Sequence, residues 1–530
     1  MGPASFDWLL RVRSGERISE LDPVWRDTEL ADRREDLEEL RWLLAEAGRE
    51  LNLYRSAYPD GRFEREMEAA FRRQAELLAQ RVDEYMDSPE ACKMDDYLTV
   101  KYDIRTLLRQ LGAAVAGSDW QSPCVRSGGA QAETESEADE AEAGSRPEQK
   151  PSSEAAAMES GYAQTEQNTY MRSYGSDAVK AYEKAVLEVL YPMPAAARER
   201  SLGFVTTSGM KALELALVAF RRFTGDKLPF HVQRGFYGEG TDLAAALLRA
   251  PQETAAEEIC RIVEANEPLG GLLVDPGMCW PVSPPVDLER LMEGLSRHRQ
   301  REPLYAIVDR TLTSIANPLF ERYAHRLPPH VTLIAVESGI KYMQYGLELA
   351  NAGYLVAAGG KLGDARTREE WIALLALLDA GADPVAVRQL PPPDMPRLRT
   401  RLARMNRNAG VVNAFLAELQ REGKIAGYHR SVDPSPQYRL DGRPWIGSLF
   451  YIELPGLRTE ADYQLWVDTF AAAAPPELHF VSGGSFGFDS FRLNAVTDPT
   501  GRESALRISV GRDPLGQLMV KLAYWCSFMR

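Results

Sequence analysis

The chain has 530 residues, 45% of them apolar, with 62 Lys and Arg against 77 Asp and Glu, a net charge of -15. That length predicts several domains and that apolar share an ordinary globular protein. The negative balance argues against a general nucleic-acid surface, and no run is long and apolar enough to cross a bilayer. Cys92, Cys124, Cys260, Cys279 and Cys526 lie far apart without a Cys-x-x-Cys pair, and the six histidines are scattered. Neither a disulfide framework nor a metal site is expected, and the expected compartment is a reducing cytoplasm. The first residues, Met1-Gly2-Pro3-Ala4-Ser5, lack the basic-then-apolar pattern of a signal peptide.

Residues 1–115 read as a helical N-terminal extension. Phe63, Met67, Ala70, Phe71, Leu77, Leu78, Val82 and Tyr85 follow one helical face, with Arg and Glu filling much of the rest. A small bundle or a docking arm both fit. Residues 116–165 change character: between Gln131 and Ser160 there are nine acids and two bases and almost no apolar bulk. Such a stretch buries too little surface to offset ordering entropy, and reads as a disordered acidic linker.

Residues 166–390 carry most of the distinctive segments. Gln167-Asn168-Thr169-Tyr170-Met171-Arg172-Ser173 contains a Tyr-x-Arg pair, and a helix follows with Val179, Tyr182, Val186 and Val189 on its inner face. Thr206-Thr207-Ser208-Gly209-Met210 precedes an apolar helical run from Ala212 to Phe220. Small residues there suit an N-cap, and they equally suit phosphate bound by the helix's first N–H groups. Gly235-Phe236-Tyr237-Gly238-Glu239-Gly240-Thr241 sets a tyrosine in a Gly-rich turn, where it either packs or stacks on a flat ligand. Leu272–Val274, Tyr305–Val308 and Val331–Val336 are short apolar runs, with an amphipathic helix through Leu288, Leu291, Met292 and Leu295 between the first two. Strands alternating with helices predict an α/β fold with a mainly parallel sheet, whose ligands sit at the carboxyl ends of the strands. Asp309 falls at one such end, in Val308-Asp309-Arg310-Thr311. One strand later comes Glu337-Ser338-Gly339-Ile340-Lys341-Tyr342. Residues 391–530 read as a smaller C-terminal α/β domain, with Ser482-Gly483-Gly484-Ser485-Phe486-Gly487 and Leu506-Arg507-Ile508-Ser509-Val510-Gly511 as its notable segments.

Taken in order, these segments resemble the Cys/Met-metabolism group of pyridoxal-phosphate (PLP) enzymes, which includes cystathionine γ-synthase, cystathionine γ-lyase and methionine γ-lyase. The resemblance covers about two thirds of the chain, from Gln167 to Arg512, and implies a fold type I PLP-dependent transferase fold. It implies that Lys341 carries PLP and that Asp309, within a stretch like Val-Asp-Asn-Thr, pairs with the pyridine nitrogen. Tyr237 stacks on the ring and moves protons by the same resemblance. Ser208, Gly209, Met210, Thr311 and Ser338 would line the cofactor site, and Tyr170 and Arg172 would reach the phosphate of a neighbouring subunit. Arg507, in a strand like Arg-Leu-Ser-Val-Gly, would bind the substrate α-carboxylate, with Ser485 beside it. A homodimer or homotetramer with its site at the subunit interface is implied, with no metal, nucleic acid or membrane partner.

The chain also departs from the group. Ile340 replaces a hydroxyl residue before the lysine. Gln344-Tyr345-Gly346-Leu347-Glu348 and Pro276-Gly277-Met278-Cys279-Trp280-Pro281 replace familiar segments, and Arg310 replaces an asparagine. These changes surround the cofactor and leave the reacting set. They suggest a divergent lyase or transferase acting on a γ-substituted L-amino acid, by elimination or replacement through a β,γ-unsaturated intermediate, in specialised metabolism. β-Elimination, transamination and a non-catalytic scaffold are the alternatives. No motif falls in residues 1–160, so cofactor binding is expected without them.

Overall fold

The computed structural model describes residues 23–57, 62–119, 176–277, 284–498 and 502–529. Tyr170, Arg172 and the acidic stretch from 120 onward lie outside the described residues.

The extension is helical, as expected: α1 (Pro23–Ala57), α2 (Arg62–Asp87) and α3 (Met94–Asp119). Leu37, Leu40, Leu43 and Leu51 of α1 pack on Val82 of α2 and on Val100, Ile104, Leu107 and Leu111 of α3. Two readings need correction. Helix α3 runs on to Asp119, past the expected linker start at 116, because Ala113, Ala114, Val115 and Ala116 are strong or tolerable helix formers that pack inward in part. Leu77 is 68% exposed, because its neighbour Leu78 takes the inward position.

The large domain begins with α4 (Asp177–Leu190). Its seven-stranded sheet runs in the order β1 (Ser201–Thr206), β7 (Gly353–Gly359), β6 (Val331–Ser338), β5 (Leu304–Asp309), β4 (Gly271–Val274), β2 (Phe230–Gln233), β3 (Gln252–Thr254). Only β7 runs against the others. The mainly parallel sheet predicted from the sequence is therefore the one found, and the three apolar runs are its central strands. Because side chains alternate across a strand, each run feeds two cores. Leu272, Val274, Ala306, Val308, Leu333 and Ala335 face α4, α7 (Ala256–Glu264) and α8 (Leu288–Arg297). Leu273, Tyr305, Ile307 and Ile334 face α5 (Gly209–Thr224), with α6 (Gly238–Leu247) and α9 (Ala365–Leu377) alongside.

Helix α10 (Pro384–Gln389) and the long α11 (Met395–Arg421) lead into the small domain. Its five-stranded sheet has the order β12 (Val481–Ser482), β13 (Arg492–Thr497), β14 (Ser504–Ser509), β11 (Leu449–Glu453), β8 (Gly427–Arg430), and β9 (Arg439–Leu440) pairs with β10 (Arg443–Pro444) as a separate hairpin. One face is buried with α11, α12 (Glu460–Ala473) and α13 (Leu515–Phe528). On the other face the register sets Asn494, Arg507 and Tyr451 side by side. Among the described residues no helix is long and apolar enough to cross a membrane.

The extension is joined to α11 and the small domain through buried charge. Asp36 takes a two-pronged pair from Arg404 at 2.8 and 2.9 Å, and Asp32 takes another from Arg407 at 2.7 and 2.8 Å. Asp32 also accepts from the backbone N–H of Leu515, at the start of α13, at 2.9 Å. Glu39 and Asp489 share Lys101 and Arg401, and Arg512 closes the group onto Glu35 at 2.8 Å. Buried charges persist only when paired this fully.

A candidate active site between the two domains

A cleft of about 340 Å³ opens at the carboxyl ends of the parallel strands, between the large and small domains. This is where an α/β sheet places its ligands. The described residues expected at a site gather there: Ser208, Gly209 and Met210 at the start of α5, Tyr237 at the start of α6, Asp309 and Thr311 after β5, Ser338 and Lys341 after β6, and Arg507 on β14.

Lys341 lies in the turn that follows β6. Its Nζ donates to Ser485 Oγ at 2.7 Å and lies 5.4 Å from the centre of the Phe486 ring. Burial lowers its proton affinity, and the nearby Arg507 lowers it further, so the neutral, nucleophilic amine is favoured relative to a solvated lysine. The loop bearing Ser485 is held close by Gly487, which has a φ of +88° and whose missing side chain would sit 2.0 Å from the Lys341 carbonyl oxygen. Only glycine fits that position.

Asp309 is the last residue of β5, and its carboxylate accepts the Thr311 N–H at 2.8 Å. Burial lifts its pKa to about 6, partly offset by the Thr311 hydrogen bonds and by Lys341, and reinforced by Glu337. Among the described residues no cationic side chain forms an ion pair with it. Thr311 Oγ1 in turn accepts the Ser338 N–H at 3.1 Å, tying the ends of β5 and β6 together.

Ser208 caps α5, its Oγ accepting the Lys211 N–H at 3.1 Å. Capping leaves the N–H groups of the first turn without intrahelical acceptors, so the cap and an anion site coexist. At Gly209 a side chain would come within 3.0 Å of Ser338 Cα and Cβ, so the bare glycine lets the helix start close on the end of β6. On the opposite wall Arg507 Nε donates to Asn494 Oδ1 at 3.1 Å, and Nη2 donates to the Gly484 carbonyl. Tyr237 is 45% exposed at the cleft edge, its hydroxyl donating to Glu239.

Sequence reasoning passed over several residues here. Asp275 is 3% exposed at the end of β4, with Oδ1 accepting the Gly277 N–H at 2.7 Å. It follows an apolar run just as Asp309 does, and that signal was available. Glu337 accepts from Arg310 Nε at 2.8 Å, from Tyr191 at 2.9 Å and from Ser314 at 2.8 Å, all buried. Arg310 also lies 3.9 Å over the Tyr191 ring. The asparagine-to-arginine departure is thus matched by a carboxylate one strand away, a pairing that no local pattern discloses.

The donor set fits PLP. A buried carboxylate lacking a cation suits a pyridinium, a helix start with a bare glycine suits a phosphate, and a desolvated amine suits an aldehyde.

No family model matches the chain, and no curated protein matches it in sequence. Solved structures do resemble it. Cystathionine gamma synthase from Xanthomonas oryzae pv. oryzae, in complex with cystathionine, is 19% identical over 70% of this chain and 90% of that chain, with a TM-score of 0.49. Cystathionine gamma-lyase from yeast is 17% identical over 68% of this chain and 88% of that chain, with a TM-score of 0.46. A methionine gamma lyase from Micromonospora echinospora is 18% identical over the same 68% and 88%, also at 0.46. At such identity and overlap, what this chain does is read from its own cleft.

Proposed function

We propose that the chain is a PLP-dependent lyase or transferase that eliminates or replaces the γ-substituent of an L-amino acid. What supports this is the meeting of Lys341, Asp309, Arg507 and the start of α5 around one cleft. A scaffold would need none of that set.

Lys341 would hold the cofactor aldehyde, Asp309 its ring nitrogen, and Gly209, Met210 and Ser338 its phosphate, with Tyr170 and Arg172 of a neighbouring subunit completing the phosphate site. PLP, when bound, supplies an electron sink that makes the substrate's α- and β-protons removable. Arg507 takes the α-carboxylate with both prongs of its guanidinium, a task lysine performs less well. Asn494 fixes the roll of that guanidinium through Nε. The Lys341 amine would accept the α-proton and move protons at the β-carbon. Ser485 orients that amine. Tyr237, with Glu239 on its hydroxyl, stands at the cleft edge where a leaving γ-group collects a proton.

The test is a panel of γ-substituted amino acids turned over in deuterated water, with products read by mass spectrometry. Deuterium at the β-carbon supports the γ-pathway. Turnover without β-exchange rejects it in favour of β-elimination or transamination. No turnover, with no visible absorbance from bound cofactor, rejects the PLP reading.

A further inference from the structure

The cofactor lysine is gripped from outside its own domain. The stretch after Lys341 turns through Tyr345, Gly346 and Glu348, with φ of +54°, +76° and +45°. Left-handed backbone at a tyrosine and a glutamate is uphill and persists only when neighbours hold it. Here the neighbours are the N-terminal helices. The Arg105 guanidinium of α3 donates to the carbonyls of Leu347 and, at 3.0 Å, of Glu348. Trp42 of α1 meets the Tyr345 ring edge-on, with centroids 4.8 Å apart. Leu347 and Leu349, each 1% exposed, belong to the extension's own apolar core.

One turn earlier on α3, Lys101 reaches the other stretch that borders the lysine. Its Nζ lies 2.7 Å from Asp489, which also pairs with Arg401 at 2.8 Å. Arg401 donates to the Gly487 carbonyl at 3.0 Å, and Gly487 is the residue packed on the Lys341 backbone. Positions four apart lie on one helix face, so a single face of α3 holds both the 345–349 stretch and the 485–489 loop.

We propose that α3 is part of the active site, with Lys101 and Arg105 as positioning residues. They fix where the Lys341 backbone and Ser485 stand, so cofactor retention and rate depend on an extension that holds none of the motif residues. This rests on the reading of Lys341 as the cofactor lysine.

The test compares the full chain with Arg105→Ala, Arg105→Lys, Lys101→Met and, as a control at an exposed residue one turn further along α3, Arg109→Ala. Hydrogen exchange of 342–349 and 484–490, the Kd for PLP, and kcat and KM are measured. Arg105→Ala is expected to speed exchange of 342–349, and Lys101→Met that of 484–490. Each should weaken PLP and lower kcat by about tenfold, the loss of one charge-assisted hydrogen bond, with KM nearly unchanged. Arg105→Lys should recover part of the loss and Arg109→Ala should show none. Exchange and PLP affinity equal to wild type in both Arg105→Ala and Lys101→Met would overturn the proposal. If Arg105→Ala fails to fold, Arg105→Lys decides: unchanged exchange in 342–349 overturns it and faster exchange sustains it. Wild type that takes up no PLP rejects the cofactor reading, while the exchange rates still judge the role of α3.

Discussion

Ser485 Oγ accepts a 2.7 Å hydrogen bond from Lys341 Nζ, across the boundary between the small and large domains. The sequence assigned Ser485 to the substrate, whereas the structure sets it on the amine. Removing it by Ser485→Ala should leave PLP bound, because the ring and phosphate contacts are untouched. It should lower kcat by about tenfold to a hundredfold, the value of a hydrogen bond to the amine once it has taken up the α-proton and is charged, expressed in rate. Steady-state kinetics with the cofactor content measured alongside checks this. Unchanged kcat would mean that the bond plays no part in proton transfer.

Lys341 itself should carry the cofactor. Borohydride reduction of the PLP-loaded protein followed by peptide mapping should place the pyridoxyl group there, and Lys341→Ala should abolish turnover. A label on any other lysine defeats the assignment.

Asp309 should give PLP binding a pH dependence. Its carboxyl is raised to about 6 by burial, so it is charged above that pH and neutral below it. Pairing with a ring cation needs the charged form. PLP affinity of the cofactor-free protein should therefore fall as pH drops below about 6, by up to about tenfold per unit. The cofactor's phosphate also takes up a proton near pH 6, so the readout is the difference between wild type and Asp309→Asn. The variant should bind weakly at pH 8 and lose less on acidification. Parallel profiles for the two proteins would rule Asp309 out.

Much of the site was legible because it sits at ends of elements that hydrophobic pattern defines. Asp309 and Lys341 each follow an apolar strand, and Ser208 precedes an apolar helix, so order along the chain stood in for position in space. The Arg310–Glu337 pair was not legible, since Arg310 follows β5 while Glu337 lies on β6 and neither motif names the other. The clamp on Lys341 was hidden for the same reason. Lys101 and Asp489 are 388 positions apart, and a basic residue on a charged helix looks like any solvated one. The expectation that residues 1–160 are dispensable for cofactor binding arose from the absence of motifs there. A buried ion cluster has no motif.

Tyr170 and Arg172 should complete the phosphate site of a neighbouring subunit. Arg172→Ala and Lys341→Ala should each be nearly inactive alone. Mixed and allowed to exchange subunits, they should regain part of the wild-type rate, because hybrid dimers contain one intact site. An active monomer by light scattering, or no recovery after proven exchange, would refute the shared site.

The ion cluster between the extension and the small domain should fail in acid before the sheet does. Burial alone would raise the carboxyl of Glu39, but Arg512, Lys101 and Arg401 bring it down to about 2, and Arg401 and Lys101 hold Asp489 below the usual range as well. A carboxyl whose folded value lies below its unfolded value near 4 stabilises the fold fully above about pH 4. That contribution is lost as pH falls from there towards about 2. Asp36 works the other way: burial outweighs Arg404 and Arg512 and raises it, so its protonation offsets part of the loss. At pH 7, Glu39→Gln leaves Arg512 and Lys101 short of a partner in a buried setting and should cost about 3–5 kcal/mol. At pH 3 wild type has lost part of that advantage, so the gap between the two proteins should narrow. Urea unfolding at both pH values measures it, with hydrogen exchange in α1 and α3 reporting whether the extension opens first. A Glu39→Gln cost that is the same at pH 7 and pH 3 would show that packing, and not the charge cluster, holds the extension in place.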